Sequence, residues 1–206
     1  MRMNMVLAVT SPTAFLKVNG TPSAVLALRC LRVISSVIPI SVAVATNNAA
    51  QVQILLKKEN VNIEILDCEP TNVRSFAAAV APMCVNLDAV MIHDASRPLT
   101  SRAQFQSVLA GFNDETDAVR PAMAFTETLK ILDADSVIQK TLDRSCVLRI
   151  STPELIRVSA INFAGDDGGW FLPLRQGART THIEASPDGL RINTEEDRNL
   201  MELHTT

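Results

Sequence analysis

Strand and helix signals alternate along the first half of this 206-residue chain, and that rhythm limits the fold more than any other feature. Met5–Val9, Ile40–Ala45, Val61–Ile65 and Ala89–Ile92 are short, apolar or alternating strand runs. Between and after them, Ala24–Val37, Asn48–Lys58, Arg74–Ala81 and Ser101–Phe112 have helical patterns. Thr21 before Pro22 predicts an N-cap with proline at the first helical position, and Lys57 and Lys58 suit the end of their helix dipole. Strands separated by helices predict a mostly parallel sheet covered on both faces, an α/β fold.

The second half changes rhythm. Leu129–Leu132 and Val137–Lys140 flank the polar turn Asp133–Ser136, which predicts a hairpin. A lone hairpin is marginal, and Ile131, Leu132, Val137 and Ile138 give it enough apolar surface to dock on a second subunit; folding back on its own core is the competing expectation. Thr152-Pro153-Glu154 has the form of a helix start, Thr180–Glu184 and Leu190–Ile192 that of late strands. Thr194-Glu195-Glu196-Asp197 opens the last helix with a pattern like a capping box. With no repeat or linker, the expectation is one domain over 1–206 with an arm at about 125–150.

Composition excludes several classes. Hydrophobic residues make up 47% and charged residues 20%, a globular balance. The net charge is −3 and no Lys/Arg run exceeds the pair Lys57-Lys58, which argues against nucleic-acid binding. Arg29, Arg32 and Pro39 break the apolar stretch 23–45, so no membrane segment is expected. Cys30, Cys68, Cys84 and Cys146 have no pairing or zinc-like spacing; buried reduced thiols and a reducing, cytoplasmic compartment are expected.

The chemistry concentrates where the Ala89–Ile92 strand runs into His93-Asp94-Ala95-Ser96-Arg97-Pro98. Ligands of open α/β sheets bind beyond the carboxyl ends of the strands. An acid and a base there can address one ligand through a divalent metal and a phosphate. The competing reading is local, with Asp94 capping the turn and Arg97 paired to it. His93, next to the acid, is expected to be a hydrogen-bonded structural residue, and Asp166-Asp167-Gly168-Gly169-Trp170 a solvated turn.

Further signatures follow in order: Glu127-Thr128-Leu129-Lys130, Thr141-Leu142-Asp143-Arg144-Ser145, Ser151-Thr152-Pro153-Glu154 and Leu190 to Asp197. From about Met5 to Leu203 the series resembles the 2-C-methyl-D-erythritol 4-phosphate cytidylyltransferase family of non-mevalonate isoprenoid synthesis. The resemblance implies a three-layer α/β/α Rossmann-like nucleotidyltransferase fold and a homodimer that swaps the β-arm. It implies CTP and methylerythritol phosphate as substrates, with Mg²⁺ on Asp94. Arg97 and Arg144 would hold the substrate phosphate, with Thr128, Thr152, Ala95 and Arg191 as further substrate contacts. Ser75 falls where the family reads the cytidine. Outside the family context, Arg144 reads as a surface partner of Asp143 or Glu127.

The departures from the family lie at the nucleotide end. Val9 to Leu16 replaces a glycine-rich loop with an arginine, and Thr13 stands in place of the lysine that follows the family proline. Cys68-Glu69-Pro70-Thr71-Asn72 lacks a glycine pair and an arginine, and Arg191 replaces a lysine. Each preorganised donor lost typically costs about 2.7–4 kcal/mol of transition-state stabilisation. Two lost cations would, if additive, slow transfer on the order of 10⁴- to 10⁶-fold. Two functions are therefore expected to compete: a cytidylyltransferase with impaired activity, and an inactive homologue serving as a ligand-binding or protein-interaction module.

Overall fold

A computed structural model describes residues 1–35, 37–59 and 62–204. The strands are β1 Met3–Ala8, β2 Lys17–Val18, β3 Thr21–Pro22, β4 Ile40–Val44, β5 Ile63–Asp67, β6 Ala89–Asp94 and β7 Ala118–Ala124. They continue with β8 Lys130–Leu132, β9 Ile138–Thr141, β10 Leu148–Ile150, β11 Glu154–Arg157 and β12 Thr180–Glu184. The helices are α1 Ser23–Ile34, α2 Thr46–Lys57, α3 Val73–Val80, α4 Arg102–Gly111 and α5 Glu195–His204. Val61, the expected first residue of β5, Ser36 within the expected first helix, and the His204 side chain lie outside the described parts.

The central sheet runs β10-β7-β11-β6-β1-β4-β5, with β12 beside β7. β6, β1, β4 and β5 are mutually parallel, and β11 enters antiparallel between β6 and β7. Side chains of β1 alternate between the faces, as a pleated strand requires. Met3, Met5 and Leu7 join a core with Ala27, Leu28 and Leu31 of α1, Val52 and Leu56 of α2, and Phe105 and Val108 of α4. Val6 and Ala8 point the other way, into a core with Phe76, Ala77 and Val80 of α3. The result is the three-layer α/β/α fold, with β6 inside the sheet and its carboxyl end opening toward one rim.

Three local expectations are corrected. Thr152-Pro153-Glu154 does not start a helix; Glu154–Arg157 is strand β11, where Leu155 and Ile156 are fully buried. Burying those two side chains between β6 and β7 outweighs the capping signal. Leu190–Ile192 forms no strand, although Ile192 N donates to Ser96 O at 2.8 Å. Thr21-Pro22 pairs as β3 with β2, and α1 starts one residue later, at Ser23, whose hydroxyl donates to Ala95 O at 2.7 Å.

The α5 cap has the expected reciprocal form: Asp197 N donates to Thr194 Oγ1 at 3.1 Å, while Asp197 Oδ2 accepts from Thr194 N at 3.0 Å. Cys68 and Cys84 are buried and Cys30 partly so, with burial raising all three thiols to about 11, but Cys146 is exposed on the arm. Among the described residues β8 and β9 pair only with each other, and they expose Leu132, Val137 and Ile138. No helix among the described residues is long and apolar enough to cross a membrane.

The β11 placement has a thermodynamic consequence. Leu155→Ala leaves a cavity between two central strands and is expected to lower unfolding stability by about 2–5 kcal/mol. Denaturant titration measures this; an effect within the surface range of about 0.5 kcal/mol would place Leu155 outside the core.

Candidate functional site

The register of β1 against β6 pairs Ala8 with Asp94, so the segments leaving the two strands emerge side by side. Ala95 N donates to Ala8 O at 2.9 Å and extends that pairing by one residue. After β1, Ser11 caps a single 3-10 turn, Pro12–Phe15. The Thr13 hydroxyl lies 2.8 Å from Ile192 O, 2.9 Å from Ser11 Oγ and 3.1 Å from Ser96 Oγ. It therefore ties the first loop, the 93–98 motif and the segment before α5 into one rim.

His93 and Thr152 stand beneath this rim. His93 is fully buried, edge-on to Phe105, with Nε2 3.1 Å from Arg97 O. A carbonyl can only accept, so Nε2 carries the proton and Nδ1 accepts from Thr152 Oγ1 at 2.9 Å. That hydroxyl in turn accepts from Asp94 N at 3.2 Å. Burial pushes the imidazole down to about 4, so it stays neutral. His93 is structural, as expected, and Thr152 positions Asp94 with a hydroxyl already committed on both sides.

Asp94 Oδ1 accepts from Ser96 N at 2.9 Å and from Thr10 Oγ1 at 3.2 Å. Oδ2 receives Arg191 Nε at 2.7 Å. The expected turn cap at Asp94 thus exists, but its ionic partner is Arg191 rather than Arg97. Arg97 donates instead to the carbonyls of Gly189 and Ile150, and its buried Nε has no partner. Burial, together with the nearby cations Arg191 and Arg149 and against the pull of Asp94, lowers its pKa to about 10. A cation this buried, held only by carbonyls, favours an incoming anion.

Asp94, Arg97, Thr152 and Arg191 line one cavity of about 410 Å³. The other expected site residues lie elsewhere. Ala95 is fully buried in the core beneath the rim, its backbone bonded to Ala8 and Ser23. Ser75 accepts from Glu69 N at 2.9 Å and so closes the 69–75 loop, while Pro70, Thr71 and Val73 form the cavity wall. Thr128 and Arg144 are exposed on the arm, where Arg144 donates to Thr126 O. A single chain does not bring the arm residues to the cavity.

Sequence reading missed a second buried cluster. Arg120 of β7 pairs with Glu154 of β11 at 3.1 Å, both nearly inaccessible, and the Arg120 guanidinium lies 3.5 Å from the Trp170 ring centroid. Glu154 also accepts from Phe171 N at 2.9 Å. Both ions and Trp170 line the cavity, so the 166–170 segment is more than a solvated turn; its two acids are exposed but Gly168, Gly169 and Trp170 form wall. An arginine inside the apolar run Ala118–Ala124 was the available signal.

A Mg²⁺ ion fits this donor set poorly. The cavity's carboxylates, Asp94 and Glu154, are each paired to an arginine. No group of three or more His, Cys, Asp or Glu residues that could hold a metal occurs among the described residues. Asp197, which lines the neighbouring cavity with Arg191, is committed to the α5 cap.

Residues 4–202 match the family model described as 2-C-methyl-D-erythritol 4-phosphate cytidylyltransferase. The chain is 30% identical over 200 residues to the enzyme of that name from Nocardia farcinica, covering 93% of this chain and 85% of that one. The Acidobacterium capsulatum enzyme of the same name is 26% identical over 204 residues, with 92% and 85% covered. Among solved structures, the 4-diphosphocytidyl-2C-methyl-D-erythritol synthase of Anaerococcus prevotii superposes with a TM-score of 0.81 at 18% identity, covering 98% of this chain and 97% of that one. The Thermus thermophilus 2-C-methyl-D-erythritol 4-phosphate cytidylyltransferase gives 0.75 at 19%, covering 99% and 98%.

The two buried titrating groups make a pH prediction. Burial raises Glu154 to about 7 against the pull of Arg120, so the folded state holds its proton more tightly than the unfolded chain. Glu154 therefore contributes a stability that falls as pH rises from about 4.5 to about 7. His93, lowered from 6.5 to about 4, contributes the opposite slope, rising with pH across that window. The two offset in the native chain. Glu154→Gln removes one of them, and its denaturation midpoint should rise from pH 4 to 6.5 more steeply than that of the parent protein. Parallel curves would mean Glu154 does not titrate there.

Proposed function

The chain belongs to the 2-C-methyl-D-erythritol 4-phosphate cytidylyltransferase family, and on that premise we propose that it binds a phosphorylated sugar alcohol at Arg97 and transfers cytidylyl groups poorly. In the family reaction a phosphate oxygen of methylerythritol phosphate attacks the α-phosphorus of CTP. One P–O bond forms, the bond to the β-phosphate breaks, and pyrophosphate leaves. The protein's part in such a transfer is positioning and charge stabilisation. Arg97 supplies a fixed guanidinium fork at the rim, held by Gly189 and Ile150, with Thr152 setting the backbone beside it.

The observation that carries the impaired reading is the state of the triphosphate end. The loop after β1 supplies no cation between Val9 and Leu16, and Thr13 spends its hydroxyl on Ile192, Ser11 and Ser96. Lys17, the nearest cation beyond the loop, pairs in β2 with β3. A triphosphate would find few donors there.

The arm belongs to the same reading. Its apolar residues Leu132, Val137 and Ile138 are each more than half exposed, Ile138 to 61%. A homodimer in which 130–141 packs on the partner would cover them. It would also carry Thr128 and Arg144 toward a second cavity, which supplies the substrate contacts a single chain leaves apart. Sedimentation is expected to give a dimer, and Ile138→Asp to shift it toward monomer with the fold intact. A folded monomer at high concentration would refute the assembly.

Calorimetry with methylerythritol phosphate and with CTP, joined to a pyrophosphate-release assay, tests the function. Methylerythritol phosphate should bind, and Arg97→Ala should weaken it by roughly 10- to 100-fold. CTP should bind weakly and pyrophosphate release should stay near background. Robust release that Asp94→Asn abolishes would overturn the impaired reading.

A further inference from the structure

Every carboxylate facing the cavity already has a guanidinium partner. The lining holds three arginines, Arg97, Arg120 and Arg191, against two acids, Asp94 and Glu154. Glu154 is matched by Arg120 and Asp94 by Arg191, which leaves Arg97 as uncompensated positive charge. The cavity is net cationic from its own side chains.

Arg191 sits against the carboxylate oxygen through which Asp94 would hold a divalent cation. Its Nε meets Asp94 Oδ2 at 2.7 Å, Nη2 lies 3.2 Å from Thr10 Oγ1, and Nη1 donates to Asn193 Oδ1. These three bonds use three of the five N–H donors of a guanidinium, so two remain. The same side chain lines a neighbouring cavity of about 320 Å³ together with Arg97 and Arg149. Its planar fork can thus hold Asp94 on one edge and offer N–H groups to an oxyanion on another. A lysine, with one point of charge, cannot span Asp94, Thr10 and Asn193 in this way.

Asp94 is correspondingly closed to a metal. Its oxygens accept from Ser96 N, Thr10 Oγ1 and Arg191, and a cation at Oδ2 would have to expel a partly buried guanidinium from a short, charge-assisted bond. It would also share the cavity with the cationic Arg97.

We propose that Arg191 serves as a built-in replacement for the divalent cation, so that this cavity accepts a phosphomonoester dianion without metal. The inference rests on the anion-binding reading of Arg97 given above and adds the metal independence and the residue responsible for it.

Two measurements test it. In the first, methylerythritol phosphate is titrated into the protein in EDTA and again in Mg²⁺. Affinity should agree to within about twofold, and Arg191→Ala should lower it by roughly 10- to 100-fold. In the second, free Mn²⁺ is followed by electron paramagnetic resonance. The native protein should not take up Mn²⁺, Arg191→Ala should gain a site, and Asp94→Asn in the Arg191→Ala background should lose it. Arg191→Lys keeps the charge and protects against a folding artefact; it should admit Mn²⁺ more readily than the native protein.

Each contrary result has its own meaning. Mn²⁺ uptake by the native protein that Asp94→Asn abolishes, or an affinity that Mg²⁺ raises by tenfold or more, would overturn the inference and leave the anion site standing. No binding in either buffer would overturn the anion reading, and the inference with it.

Discussion

The parallel register of β1 against β6 is the constraint on which the rest of the site depends. Pairing Ala8 with Asp94 brings two chain exits together at one rim, and both strands are buried on both faces, so the register cannot slip without moving core side chains to the wrong layer. Asp94 is thereby held within reach of Thr10 and Ser96. Arg191, 97 residues farther along the chain, closes the same carboxylate from the opposite side of the sequence.

That closure explains how a site with an unusual number of charges remains compatible with folding. An isolated buried ion is costly, and pairing offsets the cost only when the remaining hydrogen-bonding groups are also satisfied. Asp94 and Glu154 meet the condition with one arginine each plus backbone N–H donors, from Ser96 and Phe171 respectively. Arg97 has only carbonyl acceptors and a buried, unpartnered Nε. The site is thus satisfied around its acids and left unsatisfied at one cation. Function and residual instability meet at that residue.

The sheet was legible because its central strands are apolar enough to need cover on both faces, and the site was legible where the motif directly follows β6. Other elements were hidden for identifiable reasons. β7 carries Arg120 and Pro121 inside its run, and the arginine is tolerable only because Glu154 and Trp170 face it from distant segments. β11 begins with Thr-Pro-Glu, a good helix start in isolation, but the burial of Leu155 and Ile156 decides its state. The Asp94–Arg191 pair was beyond local reading altogether, since nothing near either residue signals the other. Of the site residues expected from sequence, Asp94, Arg97, Thr152 and Arg191 share one cavity, whereas Ala95 and Ser75 serve the surrounding backbone and Thr128 and Arg144 lie on the arm.

The arm and the cavity pose the same physical problem at two scales. In the cavity, one arginine has more charge than its partners neutralise; on the arm, a two-stranded hairpin has more apolar surface than its own chain can cover. Each is a local excess that folding of one chain does not remove, and each can be relieved by association, with an anion in one case and a second copy in the other. The two are also coupled by position: β10 leads out of the arm and runs directly into Ser151-Thr152, while Ile150 O accepts from Arg97. Seating the arm against a partner would therefore restrain the same backbone that holds the Arg97 guanidinium. A dimer contact and a ligand contact at this site would share one strand, so ordering either would lower the entropic cost of the other.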